Sequence, residues 1–159
     1  MNMMLGDILR PEAVTVSLGS KNKDDILSEL VDLLVASGGI KKPEKKQILD
    51  KLKEREVLGS TGIGKGVGIP HAKCPKIKKM AAAMGISKEG VDFNSLDGEL
   101  TYIFFLLVAP CEAPGTHLKV LAKISRLLDD KFVRERLRFV STSQEVLKVL
   151  WEEAQKNQQ

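Results

Sequence analysis

Tyr102-Ile-Phe-Phe-Leu-Leu-Val108 is a continuously apolar run, broken only by the tyrosine hydroxyl. A strand with one face in water alternates apolar and polar residues, whereas a strand covered on both faces reads as an unbroken aliphatic and aromatic run. This stretch is of the second kind and predicts a central strand with layers above and below it. Pro110, which has no N–H to donate, closes it.

Elements of both periods lie to either side. Val14-Thr-Val16-Ser-Leu18 alternates and predicts a half-buried strand, and Met80, Ala82, Met84 and Ile86 predict another over 80–87. Val91-Asp-Phe93 reads as a short edge strand. Ile26, Leu30, Leu33 and Leu34 recur at helical spacing, with Gly38-Gly39 as a left-handed cap at the end. Pro43 suits the first position of a helix that buries Ile48 and Leu52 and runs into Arg55-Glu56. Downstream, Thr116 is placed to cap a helix through Leu118, Leu121, Ala122, Ser125 and Leu128, and 132–139 continues helical. Thr142-Ser-Gln-Glu145 has capping-box spacing and opens a last helix with Val146, Leu147, Leu150 and Trp151. With no repeat, low-complexity tract or linker, the alternation predicts one layered α/β domain over 1–159.

Composition narrows the function. A chain of 159 residues, 43% hydrophobic and 29% charged, is ordinary for a soluble protein with a real core. No apolar stretch reaches the roughly 20 residues of a membrane span, so it is not membrane-inserted. The amino terminus lacks a basic region followed by an apolar one, which predicts a cytoplasmic protein. Net charge is +4, with Lys73, Lys76, Lys78 and Lys79 clustered, but one Trp, one Tyr and five Phe leave little to stack on bases. A solvated basic loop is favoured over a nucleic-acid patch.

The chemistry concentrates in Gly59-Ser-Thr-Gly-Ile-Gly-Lys-Gly-Val-Gly-Ile-Pro-His71, where five glycines precede one of only two histidines. Glycine at this density is poor scaffold and serves where backbone must bend or approach a ligand. Three readings compete. A nucleotide phosphate loop fits through Gly64-Lys65, but Gly66 stands where a Mg²⁺-binding Ser or Thr is needed, and a charged helical pattern precedes the loop rather than a buried strand. A zinc site would draw on His71, Cys74, Cys111 and His117, all the histidines and cysteines of the chain, although their spacings match no common finger. In the third reading His71 is a nucleophile toward phosphorus, since neutral imidazole attacks a phosphoryl group and later leaves readily. Arg55 can fork onto phosphate oxygens, Ser60 and Thr61 bring hydroxyls to bind phosphate, and His117 at a helix start supplies a second imidazole.

The segment from Arg55-Glu56 through Gly59-Ser-Thr61 to Pro70-His71 closely resembles the signature of the fructose/mannitol/nitrogen-regulatory class of phosphotransferase-system enzyme IIA. Tyr102–Pro110 followed by His117–Leu128 resembles that family's second block, and the likeness runs in order along nearly the whole chain. It implies a mixed β-sheet with helices on both faces, in three α/β/α layers. It also implies that His71 is phosphorylated on Nε2 by an HPr-like phosphocarrier or its nitrogen-branch counterpart, with Arg55 and His117 as phosphate-stabilising partners. A IIB acceptor or a regulatory target would follow, and neither metal nor ATP would be required. Two departures stand out: Gly68 replaces the family's usual alanine, and Cys74 near the site leaves redox sensitivity open.

Overall fold

In the computed structural model, residues 5–112 and 115–156 are described. A mixed six-stranded sheet is built from β1 (Leu9–Thr15), β2 (Gly62–Gly64), β3 (Val67–Gly68), β4 (His71–Cys74), β5 (Ala81–Val91) and β6 (Thr101–Pro110). Strand order is β1-β5-β6-β3-β2, with β4 also on β6. β5 and β6 are antiparallel, as are β2 and β3, while β1 runs parallel to β5 and both β3 and β4 run parallel to β6.

The apolar run sits where its composition places it. From Ile103 to Ala109, β6 is buried throughout, and its residues divide by parity. Ile103, Phe105 and Leu107 join a core with α3 (Thr116–Asp129), α4 (Lys131–Phe139) and α5 (Ser143–Lys156). Phe104, Leu106 and Val108 join a second core with α1 (Lys23–Ala36) and α2 (Lys45–Val57) on the opposite face. β5 divides likewise, with Ala82, Met84 and Ile86 on the first face and Ala81 and Ala83 on the second. Period-2 side chains on one sheet thus generate two cores and the three-layer arrangement.

Helix ends follow local chemistry. The Asn22 side chain accepts from the Asp25 N–H at 2.9 Å at the start of α1, and Gly38 takes φ +79° just past its end. Thr142 Oγ1 accepts from the Glu145 N–H at 3.1 Å, as the spacing predicts. Asp130 accepts from Phe132 and Val133 to start α4.

Several boundaries differ from expectation. β1 occupies Leu9–Thr15 rather than 14–18, because its register against β5 shifts between Leu9 and Val14 and leaves Arg10-Pro11-Glu12 exposed, which breaks the alternation. Leu18 lies beyond the strand and packs over Gly85 of β5. Pro43 falls in a 3-10 turn (Lys42–Glu44) leading into α2 rather than at the first position of the α-helix. Val91 ends β5 and no separate edge strand forms; Phe93 is fully buried, edge-on to Phe104 with ring centroids 5.2 Å apart. Gly115, at φ +85°, is the cap residue of α3, and Thr116 is its first helical residue. Among the described residues no helix is long and apolar enough to cross a membrane.

The glycine segment contains strands where only a loop was expected. β2 and β3 form a hairpin turning at Lys65-Gly66, both at positive φ (58° and 80°). Such values favour a two-residue primed turn, and glycine supplies one of its two residues without strain. The Lys65 N–H donates to Asp97 at 2.9 Å, and its ammonium pairs with Asp129 at 2.7 Å. β3 and β4 then flank the same edge of β6 in one register: Val67 lies opposite Ile103 and His71 opposite Leu107. They are a single path interrupted at Ile69-Pro70, where the Pro70 carbonyl still accepts from Leu107 at 3.0 Å. Pro70 has no N–H to pair, so it is tolerated only where that side of the strand needs no ladder bond.

Candidate functional site

His71, the first residue of β4, is half-buried at the edge of the sheet. Its ring is fixed by a contact of 2.8 Å between Nδ1 and the Ile69 carbonyl. A carbonyl oxygen only accepts, so Nδ1 carries the hydrogen and Nε2 keeps a free lone pair. The His71 pKa is lowered from the ordinary 6.5, chiefly by burial. The bond to Ile69 opposes that shift, the Arg55 guanidinium adds to it, the Glu56 carboxylate opposes it, and His117 adds to it again. The ring is therefore mostly neutral at physiological pH.

A cavity of about 550 Å³ opens over this ring, lined by Lys51, Glu54, Arg55 and Leu58 of the α2 end, by His71, Ala72 and Lys73 of β4, and by His117 of α3. Three elements distant in sequence thus bring both histidines and Arg55 to one cavity. Arg55 Nη1 donates to the Gly59 carbonyl at 2.8 Å, which anchors one arm of the guanidinium and leaves its other donors available. His117 lies in the first turn of α3, whose cap residue Gly115 provides no side-chain bond. The N–H groups of that turn and the positive end of the helix dipole favour an anion there. His117 Nδ1 is buried and has no hydrogen-bond partner among the described residues.

A half-buried neutral imidazole, a partly anchored guanidinium and a second imidazole at a helix N-terminus suit reversible phosphoryl transfer, which rests on positioning and charge stabilisation. Comparison with known proteins points the same way. Residues 7–153 match the family described as phosphoenolpyruvate-dependent sugar phosphotransferase system, EIIA 2. The chain belongs to this family. It is 36% identical over 148 residues to the nitrogen regulatory protein of Bradyrhizobium diazoefficiens, covering 93% of this chain and 95% of that one. It is 34% identical over 141 residues to the fructose-specific EIIA component of Haloferax volcanii, covering 89% and 90%. Among solved structures, nitrogen regulatory protein IIA-Ntr from Neisseria meningitidis superposes with a TM-score of 0.84 at 32% identity, covering 92% of this chain and 98% of that one. The mannitol enzyme IIA of Escherichia coli, solved in complex with phosphorylated enzyme IIB, shares the fold with a TM-score of 0.73 at 23% identity, covering 89% and 95%. As an EIIA 2 protein, the chain is a phosphocarrier of the phosphotransferase system.

Two other expectations meet this EIIA 2 site differently. The hydroxyls of Ser60 and Thr61 do not line the cavity. Ser60 Oγ donates to the Phe93 carbonyl at 2.8 Å and accepts from the Gly62 N–H at 2.9 Å. Thr61, only 3% exposed, donates its hydroxyl to Glu56, and its N–H reaches the same carboxylate at 3.2 Å. Both side chains therefore hold the backbone between α2 and β2, and neither is free to reach a phosphate. The zinc reading also fails. His71 and Cys74 are three apart on a strand and face opposite sides, with Cys74 fully buried in the α1/α2 core, and no metal-binding cluster of three or more His, Cys, Asp or Glu exists among the described residues. Burial pushes the Cys74 thiol up to about 11, with the nearby Cys111 adding to the shift. Buried and with a raised pKa, that thiol is poorly placed to react as a thiolate.

Sequence reasoning assigned no role to Glu56, the residue that holds Thr61. Its signal was present in its place beside Arg55 and five residues before Thr61, but its cationic partner, Lys23, lies on another helix.

Proposed function

We propose that His71 is the phosphoryl acceptor of this phosphocarrier. An HPr-like phosphocarrier presents its phosphohistidine at the cavity, and His71 Nε2 attacks phosphorus. The donor ring, protonated on its other nitrogen, leaves as neutral imidazole with the bonding pair of the broken P–N bond, and a new P–Nε2 bond forms. His71 keeps its Nδ1 proton on the Ile69 carbonyl throughout. Arg55 and the first turn of α3 carry the charge on the transferring oxygens, with His117 as second donor to them. The observation that supports this most is the fixed tautomer of His71, which leaves Nε2 as the nucleophilic atom beside Arg55 and His117.

The reverse of the same step discharges the protein. The phosphoryl group passes to a IIB acceptor in sugar uptake, or its presence on His71 is the signal read in nitrogen-type regulation. Enzyme IIA of the mannitol system is seen with phosphorylated IIB, and that likeness of fold supports a IIB partner here. Relatives of both kinds resemble this chain at 36% and 34% identity.

The test is to phosphorylate the protein with phospho-HPr and locate the label at alkaline pH, where phosphohistidine survives. Long-range ¹H–¹⁵N and ³¹P spectra should place phosphorus on His71 Nε2. Phosphorus on any other residue, or on Nδ1 of His71, overturns the assignment. A chase onto purified IIB separates onward transfer from retention as a signal.

A further inference from the structure

Glu56 is a buried carboxylate that the transfer step does not use. Its side chain is 6% exposed, and it pairs with Lys23 Nζ, itself 21% exposed, at 2.8 Å. The Lys23 ammonium also sits 4.8 Å from the Phe93 ring centroid, and Phe93 is the residue whose carbonyl holds Ser60. Burying an ion pair costs desolvation on both partners, so it is weak evidence for stability alone. None of Lys23, Glu56 and Thr61 lines the cavity.

A line of hydrogen bonds leads from that ion pair to the nucleophile. Glu56 accepts both the hydroxyl and the N–H of Thr61. The Thr61 carbonyl accepts from the Ile69 N–H at 2.9 Å, and the Ile69 carbonyl accepts from His71 Nδ1 at 2.8 Å. One hydrogen bond joins the backbone of Thr61 to Ile69, the residue whose carbonyl orients the His71 ring. Glu56 is also the neighbour of Arg55, so one short stretch of α2 carries the phosphate-facing cation and the anchor of the nucleophile's support.

We propose that Glu56, held by Lys23, is a positioning residue for His71, acting through Thr61 and Ile69 to fix the ring in the Nδ1–H tautomer with Nε2 toward the cavity. This rests on His71 being the phosphoryl acceptor. The device is a clamp: a desolvated carboxylate fixes the backbone at Thr61, and that backbone fixes the carbonyl that His71 must face. A merely structural pair would hold the fold together and leave the ring indifferent to it.

The test compares Thr61→Val, which removes the hydroxyl at nearly constant shape, with Thr61→Ser, which keeps it, and with Glu56→Gln. In the unphosphorylated proteins, the ¹⁵N shifts of His71 report tautomer and pKa with no phosphodonor involved. The groups that face His71 are Arg55, Glu56, Lys51 and Glu54 from α2, Lys73 from its own strand and His117 from α3. Removing the Glu56 charge takes away an influence that raises the His71 pKa.

Thr61→Val is expected to mix the two tautomers and to slow phosphorylation at saturating phospho-HPr by about tenfold or more. Thr61→Ser should stay within about threefold of the parent on the same scale. Glu56→Gln should lower the His71 pKa and slow the step. Folded Thr61→Val with the parent's tautomer and rate overturns the proposal. If Thr61→Val does not fold, Glu56→Gln decides alone, and an unmoved His71 titration with a parental rate overturns it. Failure of the acceptor assignment shows separately, as a label on another residue of the unmutated protein.

Discussion

The Nδ1 N–H of His71 donates to the carbonyl of Ile69, two residues earlier in the same chain, across 2.8 Å. The bond spans Pro70, whose ring fixes φ between the two. Local backbone geometry therefore selects the tautomer, and the sheet register that places His71 opposite Leu107 points the ring at the cavity edge.

Phosphate acceptance is expected to withstand mild acidification. Because burial lowers the His71 pKa below 6.5, more than half of the rings are still neutral at pH 6.5 and half-protonation comes only at lower pH. Initial rates of phosphorylation should therefore stay above half their plateau at pH 6.5. A profile at half its plateau at 6.5 or above contradicts the burial argument.

The same shift makes a small, signed contribution to stability. The unfolded imidazole binds a proton more readily than the folded one, so the His71 contribution is complete above 6.5 and is lost as pH falls through its lowered folded pKa. Denaturation midpoints of the parent should fall more steeply with acid than those of His71→Gln, in which this titration is absent. Parallel pH dependences would show that His71 does not take part.

Gly85 on β5 and Leu18 beyond β1 are a steric pair. A Cβ at position 85 would lie 2.6–2.8 Å from the Leu18 side-chain carbons. Gly85→Ala should destabilise by about 1–3 kcal/mol through overpacking, read as a lower denaturation midpoint at unchanged m-value. In the double variant with Leu18→Ala the two losses should not add, since the second removes the atoms the first collides with. Additive losses would mean the two residues are independent.

The two thiols should behave differently. Cys74 is fully buried and its pKa is raised to about 11, whereas Cys111 is exposed. An aromatic disulfide reagent at neutral pH should titrate one thiol in the native protein, mapped to Cys111, and two after denaturation. Rapid native labelling of Cys74 would contradict its place in the α1/α2 core.

How legible these features were in the sequence depended on how local their causes are. β6 is legible because burial on both faces is written into its apolar run from Ile103 to Ala109, and α5 because Thr142 and Glu145 carry their own cap. β1 was displaced because Arg10-Pro11-Glu12 bulge away from β5 and erase the alternation that would have marked the strand. The hairpin is invisible in the sequence because its glycines carry no side-chain period, and β4 because its four residues become a strand only by pairing with β6, far along the chain. Among the proposed site residues, His71, Arg55 and His117 share one cavity, whereas Ser60 and Thr61 were assigned to phosphate by proximity in sequence alone. Their hydroxyls are taken by the Phe93 carbonyl and by Glu56, partners that the sequence of the loop does not announce.

The central claim is that His71 carries the phosphoryl group and His117 assists it. The direct measurement is labelling by phospho-HPr of the parent, His71→Ala and His117→Ala, with onward transfer to a IIB acceptor followed in each. His71→Ala should take up no label, while His117→Ala should accept phosphate and pass it on slowly. Label retained by His71→Ala and lost from His117→Ala would contradict the account.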